Sequence, residues 1–490
     1  MPTRLRQTDQ ALALLYHARA ATPFCSEDGE LYASIPASLD SRHVLPLRSA
    51  AFRDWLIANF YGEYETAPSP DAIRAALRTL EARARYGETP ARKLDLRLSF
   101  EGDPFTPTKI ILDLANQSGE VLEISSQGWR IADNLNKSFR ESATALSLPR
   151  PVQSDAPAGA ALDQFAKLAR LSEGDRARAL TWIMTALRPT GPYPVLVVRG
   201  PAASGKSFFA RALRTLIDPS AAPVRRLPAR DRDLLRLAHQ NWMLAFDQVQ
   251  RVPARIAGAL SALSSGDAYE IPQADYRDPL VFQIARPVIL IAPSDEMQTA
   301  WAPPRSFSNR TLTIDLAAIA APRPEAALWS EFEAMRPAWL AALGDAVGAA
   351  LHRIRDIDLG NVARFPDCAA WAAAAAPALG LNERSIVDAL TDPDAVWIGS
   401  DPLRDAVHGL LRSKPVWSGD AAALLDQLRA IAPFASLPAT PKGLSQALAG
   451  VSGIRVEKNA GGTGALSIAR TSRAAEQAAT GDASLLLPTR

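Results

Sequence analysis

One short run, Gly200-Pro-Ala-Ala-Ser-Gly205-Lys206-Ser207, carries the clearest chemistry in this chain. It fits G-x-x-x-x-G-K-[ST], a loop whose backbone N–H groups cradle phosphates. Small residues at Gly200, Ser204 and Gly205 let those N–H groups curl around phosphate oxygens, at the positive end of a helix. Lys206 suits the β- and γ-phosphates of a nucleotide, and the Ser207 hydroxyl suits Mg2+. Phe208 completes the expected nucleotide-binding set. An ordinary glycine-containing turn is the plain alternative. A second group follows at short distance. Trp242-Met-Leu-Ala-Phe246 is apolar and ends in Asp247, whose carboxylate would face the same Mg2+ opposite Ser207. A strand closing in a turn aspartate is the competing reading. The expected cofactors are therefore ATP and Mg2+.

These groups need rigid elements to hold them. Tyr193-Pro-Val-Leu-Val-Val-Arg199 is β-branched and apolar, as a buried parallel strand should be. Phe208–Ile217 has apolar residues at helical spacing, so the glycine loop joins a strand to a helix. A helix over Pro253–Leu263 is expected next, then apolar strands over Pro287–Ala292 and Thr311–Leu316. The alternation predicts an α/β fold with a P-loop core over 160–322, led by two helices within 162–188. Residues 323–398 read as a helical lid region, with Trp329, Phe332, Trp339, Leu343 and Val347 on one buried face.

On either side lie smaller modules. Residues 1–147 read as an α+β accessory domain. Helices are expected over Gln10–Ala20, Ser49–Tyr61 and Asp71–Tyr86, and short strands over Leu94–Glu101, Lys109–Leu114, Val121–Ser125 and Gly128–Ile131. A Pro/Ala/Gly linker runs from Leu148 to Gly159. Residues 401–470 carry a helix over Ala421–Ala430, a helix begun by Thr440-Pro441, and a glycine-looped hairpin. That order reads as a winged-helix-like module. The tail over 471–490 is Ala/Ser/Thr-rich and reads as disordered.

Composition narrows the class. The net charge is only +2, with 48% hydrophobic and 22% charged residues. That excludes a protein coated all over with basic residues, so any nucleic-acid surface must be local. No apolar run reaches the ~18 residues of a membrane span, and the N-terminus lacks the apolar core of a signal peptide. Cys25 and Cys368 make neither a metal pattern nor a disulfide framework. A cytoplasmic location with no membrane partner follows as an expectation. The five histidines are scattered and read as structural, none standing at ligand spacing from cysteine or carboxylate.

Beyond Asp247 the chain continues through Ser265-Gly266-Asp267, Tyr276-Arg277-Asp-Pro279, the strand within Arg286-Pro-Val-Ile-Leu290, and Asn309-Arg310. In this order, with Leu244-Ala-Phe-Asp247, the chain resembles the superfamily 3 helicases, AAA+ motors of viral, phage and plasmid replication. It is most similar to the primase-helicase-like ATP-binding proteins of prophages and mobile elements. The resemblance implies a hexameric ring, ATP hydrolysed between subunits, and a central channel moving along DNA. It implies that Arg310, with Arg305 as competitor, is donated across a subunit interface; an arginine at a strand start pairing with a surface carboxylate is the plain alternative. It also sets Gln248 where many such motors carry a water-orienting Glu. The γ-phosphate sensor, usually Asn, would fall on Ile291 or Asp295.

Candidate DNA contacts are Tyr276 and Arg277, which could stack and pair along a single strand, and Lys442, Arg455 and Lys458 of the C-terminal module. A surface turn is the alternative for the first pair, and protein interaction for the module. Arg225, Arg226, Arg230, Arg232 and Arg236 interleave with Asp231 and Asp233, which reads as a solvated face. The function expected is an ATP-dependent DNA helicase or translocase of mobile-element replication, a homo-oligomer on single-stranded or forked DNA. The alternative is an ATP-dependent assembly or switch protein, for instance in phage defence. A small-molecule kinase stands third.

Overall fold

The computed structural model describes residues 6–36, 42–133, 139–140, 142, 144–249, 252–271, 280–292, 307, 309–360, 364–391, 403, 406–407, 410–411, 416–431, 437–438, 440–448, 454–458 and 465–470. Its first elements are helix α1 (Gln7–His17), strands β1 (Thr22–Cys25), β2 (Leu31–Pro36) and β3 (Arg42–Pro46), and helices α2 (Ala50–Tyr64) and α3 (Pro70–Tyr86). The Ser49 and Ser69 hydroxyls cap α2 and α3 by accepting the Phe52 and Ala72 N–H groups. Leu14, Phe52, Leu56, Phe60 and Leu80 form a small core where the helices meet the sheet. The three strands pair antiparallel in the order β1-β2-β3. Sequence periodicity gave no sign of them: they are short, end at Pro36 and Pro46, and bury consecutive residues.

Strands β4 (Leu98–Gly102), β5 (Pro107–Asp113), β6 (Glu120–Ser125) and β7 (Gly128–Asp133) form an antiparallel meander. The first starts later than expected, because residues before Leu98 make only isolated bridges. Leu98, Ile110, Leu112, Leu122 and Ile124 of this sheet share one apolar core with residues far beyond position 147. The core runs on through the proline-rich stretch, where Leu148 is itself buried.

Next come α4 (Ala158–Leu168), α5 (Glu173–Ala186), β8 (Val195–Arg199), α6 (Lys206–Ile217), β9 (Arg225–Arg226), α7 (Asp231–Gln240), β10 (Leu244–Asp247), α8 (Ala254–Ser265), the hairpin β11 (Ala268–Ile271) and β12 (Leu280–Gln283), β13 (Val288–Ile291) and β14 (Thr311–Asp315). Strands β14-β8-β13-β10-β9 form a five-stranded sheet, parallel throughout. Val195–Val198 are wholly buried, which is why this run shows no alternation. Strand β13 lies between β8 and β10. The segment resembling a channel hairpin, with a strand expected over Leu280–Phe282, contains the antiparallel pair β11–β12, and its intervening residues 272–279 lie outside the described residues.

Helices α9 (Glu325–Arg353), α10 (Pro366–Ala375) and α11 (Glu383–Thr391) form the helical layer. The Trp339 ring meets Phe165 and Phe332 edge to face, each at 5.4 Å. Gly344 lets α9 approach the β6-β7 hairpin, since a Cβ there would lie 2.8 Å from the Trp129 ring. The Trp129 indole then donates to Asp345 at 3.0 Å.

A second compact unit gathers Gln250–Ala254, Pro293–Ser308 and Ile398–Arg490. Its described elements are β15 (Val416–Asp420), α12 (Ala421–Ile431), α13 (Pro441–Ala447), β16 (Ile454–Lys458) and β17 (Ala465–Arg470). Strand β17 is central in a three-stranded antiparallel sheet with β15 and β16. Trp417, Leu424, Leu428, Leu444 and Ile468 form its core. The hairpin expected from the sequence is present, and β15 adds an edge strand to it. Residues 471–490 lie outside the described residues.

Trp339 is 1% exposed at the junction of α4 and α9. Trp339→Ala should cost about 3–5 kcal/mol, read as a lower denaturation midpoint of the first unit. An unchanged midpoint would mean that this contact does not hold the layer.

Candidate nucleotide site

The glycine loop leaves the carboxyl end of β8 and enters α6 without a side-chain cap. Three residues in it adopt left-handed φ: Gly200 at 143°, Ala203 at 58° and Gly205 at 86°. Gly200 is required twice over. Its backbone is closed to other residues, and a Cβ there would collide with the Leu316 carbonyl and lie 2.7 Å from Ser204 Oγ. Among the described residues Ser204 Oγ is buried and has no hydrogen-bond partner. The uncapped first turn of α6, that orphaned hydroxyl and the glycine concavity together fit an anion with several oxygens.

Lys206 donates to the Gly200 and Pro201 carbonyls at 2.5 and 2.6 Å, folding its ammonium over the loop. Phe208 turns its side chain into the core, edge to face with Trp329 at 5.1 Å. Only its backbone can face a ligand. The Ser207 hydroxyl donates to Asp247 Oδ2 at 2.7 Å. That carboxylate and hydroxyl are an oxygen donor pair of the kind Mg2+ prefers, completed by water and phosphate oxygens.

Gln248 follows Asp247 with φ at 53°, a conformation costing roughly 1–2 kcal/mol for a residue with a Cβ. Its N–H donates to Asp247 Oδ1 at 2.6 Å, and its side chain is exposed. Ile291, at the end of β13, is 1% exposed and pairs with Val198, so it offers no polar group. Asp295 and Arg305 lie outside the described residues.

Arg310 sits elsewhere. Thr311 pairs with Val195, at the amino end of β8, whereas the loop leaves the carboxyl end. Five strand residues intervene, about 16 Å at 3.3 Å per residue. Arg310 Nη1 donates to Ser265 Oγ at 2.7 Å, so its partner is a hydroxyl rather than a carboxylate. The structure therefore brings together Gly200, Ser204, Gly205, Lys206, Ser207 and Asp247, with Gln248 beside them, and leaves Arg310 at the opposite edge.

Of the candidate DNA contacts, Tyr276 and Arg277 lie outside the described residues. Lys442 is exposed on α13. Arg455 pairs with Glu457 at 2.9 Å, and Lys458 ends β16. Within the arginine run, Asp233 lies within 4 Å of Arg232 and Arg236, and Asp231 pairs with Arg255 at 2.7 Å.

The histidines need a correction. His17 reaches Glu63 at 3.2 Å, and His239 reaches Asp28 at 3.1 Å and Glu30 at 3.8 Å. Folding joins groups that sequence spacing kept apart. The Asp28, Glu30 and His239 trio has ligand types in metal-like proximity. Yet the Arg140 guanidinium already pairs with Asp28 at 2.9 Å and contacts the His239 ring. A resident cation thus supplies the charge an ion would bring. Burial would raise the Asp28 carboxyl, but hydrogen bonds from His239 and Ser26 and the Arg140 charge outweigh it and hold it well below the usual carboxylate range.

Residues 162–393, from α4 to the segment just past α11, match the family model described as actinomycete integrative conjugative element replication protein. No curated protein matches the chain. Among solved structures, the chain is similar to SCCmec type IV Cch, described as an active helicase, at 12% identity and TM-score 0.46, over 92% of this chain and 93% of that one. It is similar to the NrS-1 C-terminal region at 9% identity and TM-score 0.40, over 95% of this chain and all of that one. On the fold and the grouped residues, the first unit is a mixed α/β structure with a glycine phosphate-loop motif at the edge of a parallel sheet. Its central part is similar to a replication-protein family of integrative conjugative elements.

Three outcomes are expected. Lys206→Ala should abolish productive nucleotide binding, seen as loss of saturable ATP binding. Asp247→Asn should leave nucleotide bound but lower Mg2+-dependent turnover by about 10²-fold or more; wild-type metal dependence in that variant would refute the pairing with Ser207. The Asp28 carboxyl is depressed in the folded chain from an ordinary value of 3.8. Its stabilising contribution is complete above that value and is lost as pH falls below it. The stability gap between wild type and Asp28→Asn should therefore begin to narrow below about pH 4 and go on closing as pH falls toward the depressed value of the folded chain, measured by denaturation across pH.

Proposed function

We propose that this protein is an ATP-dependent, helicase-like motor in the replication of a mobile genetic element. The observation that carries the reading is the Ser207–Asp247 contact at 2.7 Å, beside an uncapped glycine loop. It lies within the segment matching the integrative-element replication family. In this reading the loop N–H groups and Lys206 hold ATP phosphates, while Ser207 and Asp247 hold Mg2+. Gln248 orients water. No general acid is needed, because positioning and charge do most of the work of phosphoryl transfer.

The AAA+ assignment within superfamily 3, and the hexameric ring, belong to this proposal. The ring is supported by the place of Arg310. An arginine about 16 Å from its own loop can meet a nucleotide only on a neighbour, which head-to-tail rings allow. Domains at 1–147, 160–322, 323–398 and 401–470 fit a motor with accessory modules, the last as a winged helix. Tyr276 and Arg277 would line the channel, and Lys442, Arg455 and Lys458 would meet phosphates of single-stranded or forked DNA. The protein would work in the cytoplasm. Among the described residues no helix is long and apolar enough to cross a membrane.

A second reading has its own observation. The exposed Gln248 and the buried apolar Ile291 occupy places where a fast motor would carry polar catalytic groups. An assembly or switch protein that binds ATP and turns it over slowly would tolerate both.

The two readings separate in one experiment. ATP turnover is measured with and without single-stranded DNA, for wild type, for Arg310→Ala, for Lys206→Ala and for the two variants mixed. The motor reading expects stimulation by DNA, loss in each variant alone and partial return on mixing. It also expects DNA affinity to fall with salt, by about 0.7 in log–log slope per phosphate contacted. ATP-driven assembly without DNA affinity at low salt would replace the motor by the switch.

A further inference from the structure

A cavity of about 240 Å3 opens in the first unit, away from the glycine loop. Among the described residues its walls include Arg42, Arg97, Arg140 and Arg214, against two carboxylates, Asp113 and Asp218. The distribution of charge is the notable feature. The side chains of Arg97 and Arg214 are 3% and 2% exposed, and both lean on the single carboxylate of Asp218, at 3.1 and 3.3 Å. Their other contacts are neutral. Arg97 donates to the Asp113 and Leu146 carbonyls. Arg214 donates to the Asp218 and Met243 carbonyls and to Asn241 Oδ1. Arg42 rests on Ser34 Oγ and on the Ser34 and Ala20 carbonyls. Arg140 is met by Asp28 and, at 3.7 Å, by Glu30, yet its Nε is buried without a partner among the described residues.

Two buried guanidiniums on one carboxylate leave a surplus positive charge in a medium of low dielectric, which is costly unless an anion arrives. Burial indeed pulls the Arg214 guanidinium below its ordinary range, and Arg225 and Arg97 pull it further, against the opposing pull of Asp218. Arginine is also the residue suited to phosphate, presenting paired N–H groups in one plane. The volume falls short of the roughly 300–1,000 Å3 typical of pockets for whole organic ligands, so a compact anion fits better than a nucleotide. The loop Ala115 to Gly119 borders the cavity, and Ala115 and Gln117 are exposed there, giving a way in.

We propose that this cavity is a second anion site, distinct from the glycine loop, that binds a small phosphate dianion, either free phosphate or a compact phosphate monoester. The site has a direct mechanical link to the nucleotide region. Arg214 stands in the last turn of α6, whose first turn carries Lys206 and Ser207. Asp218 accepts the Met243 N–H at 3.0 Å, one residue before β10 begins its run to Asp247. An anion held by Arg97 and Arg214 would thus bear on both elements that bring Ser207 to Asp247.

The test is calorimetric titration of the full chain carrying Lys206→Ala, which removes the loop lysine as a competing phosphate ligand. The probes are inorganic phosphate and glycerol phosphate, at constant ionic strength set with chloride. Saturable binding at millimolar concentration or tighter is expected, with hydrogen-exchange protection near residues 96–98, 214–220 and 240–243 rather than 200–207. Asp113→Asn keeps the acceptor used by the Ala115 N–H while removing a negative charge from the wall, and should tighten binding about threefold or more. Arg97→Gln should abolish it; should that variant fail to fold, the Asp113 variant still decides. Tighter binding of the monoester supports an organic phosphate as occupant, and equal binding supports free phosphate. Absence of saturable binding, protection confined to 200–207, or unchanged affinity in Asp113→Asn would overturn the proposal. The inference does not rest on the motor reading: intact ATP binding in Lys206→Ala would undo the loop assignment and leave the cavity result standing.

Discussion

The hydrogen bond from Ser207 to Asp247 sets the constraint to which the rest of the first unit answers. The two residues belong to different layers. Asp247 ends β10, whereas Ser207 stands on α6 after the loop that leaves β8. Strands β8 and β10 are not neighbours, because β13 lies between them. At about 4.8 Å per strand their axes are about 9.6 Å apart. A side chain on β8 could not close that span, but the first turn of a helix crossing over the strand ends can. The hydroxyl therefore has to sit just after the loop, and the loop has to turn tightly enough to send α6 back across the sheet. The left-handed backbone of Gly200, Ala203 and Gly205 makes that turn.

Holding α6 in place then becomes a packing problem. One side of the helix is buried against the sheet through Phe209, Leu213 and Leu216. On the other side Phe208 meets Trp329, and Arg336 of α9 donates to the Thr215 carbonyl at 2.8 Å. At the start of α9, Glu325 pairs with Arg211 of α6 at 2.9 Å. Buried area in this layer outweighs the exposed ion pairs, which contribute little singly. The antiparallel meander β4–β7 is the outer support. It packs on α9 through Trp129 and the space left at Gly344. A strand pattern that reads as an accessory module in sequence is thus part of the scaffold that keeps α6 over the sheet.

Local signals in the chain account for what could be read from sequence. The loop, the strand into Asp247 and the cap at Thr440 each depend on a few adjacent residues, and they appear where those residues place them. Strands β1–β3 were invisible because burial of consecutive residues such as Tyr32, Ala33, Ser34 and Ile35 gives no alternation to detect. The Asp28–His239 pairing and the sharing of Asp218 by Arg97 and Arg214 join residues more than a hundred positions apart in two of their three contacts. No periodicity encodes such pairs. The inward turn of Phe208 was equally hidden, since its place in the loop motif and its place on the apolar face of α6 give the same residue two readings. Only packing decides between them.

The polarity of a parallel sheet carries one last consequence. All five strands end at the edge where the loop lies, so residues at strand starts lie at the opposite edge. Arg310 is such a residue, and Ser265 and the Arg364 contacts to the Asn309 and Thr311 carbonyls fix the segment there. No rotamer of Arg310 spans the height of the sheet to reach Ser207. Around the loop itself, Arg199 is held in a two-pronged pair with Asp315 at 2.7 and 2.5 Å, and Arg211 is engaged by Glu325 and the Ser207 carbonyl. Among the described residues Lys206 is the cation folded over the phosphate cradle. A transferring phosphoryl group spreads its charge over three oxygens and gains from a second cation. Arg199 and Arg211 are committed to carboxylates and Arg310 stands on the far edge, whereas Arg226, in register with Asp247 at the carboxyl edge of the sheet, is exposed on the loop's own side.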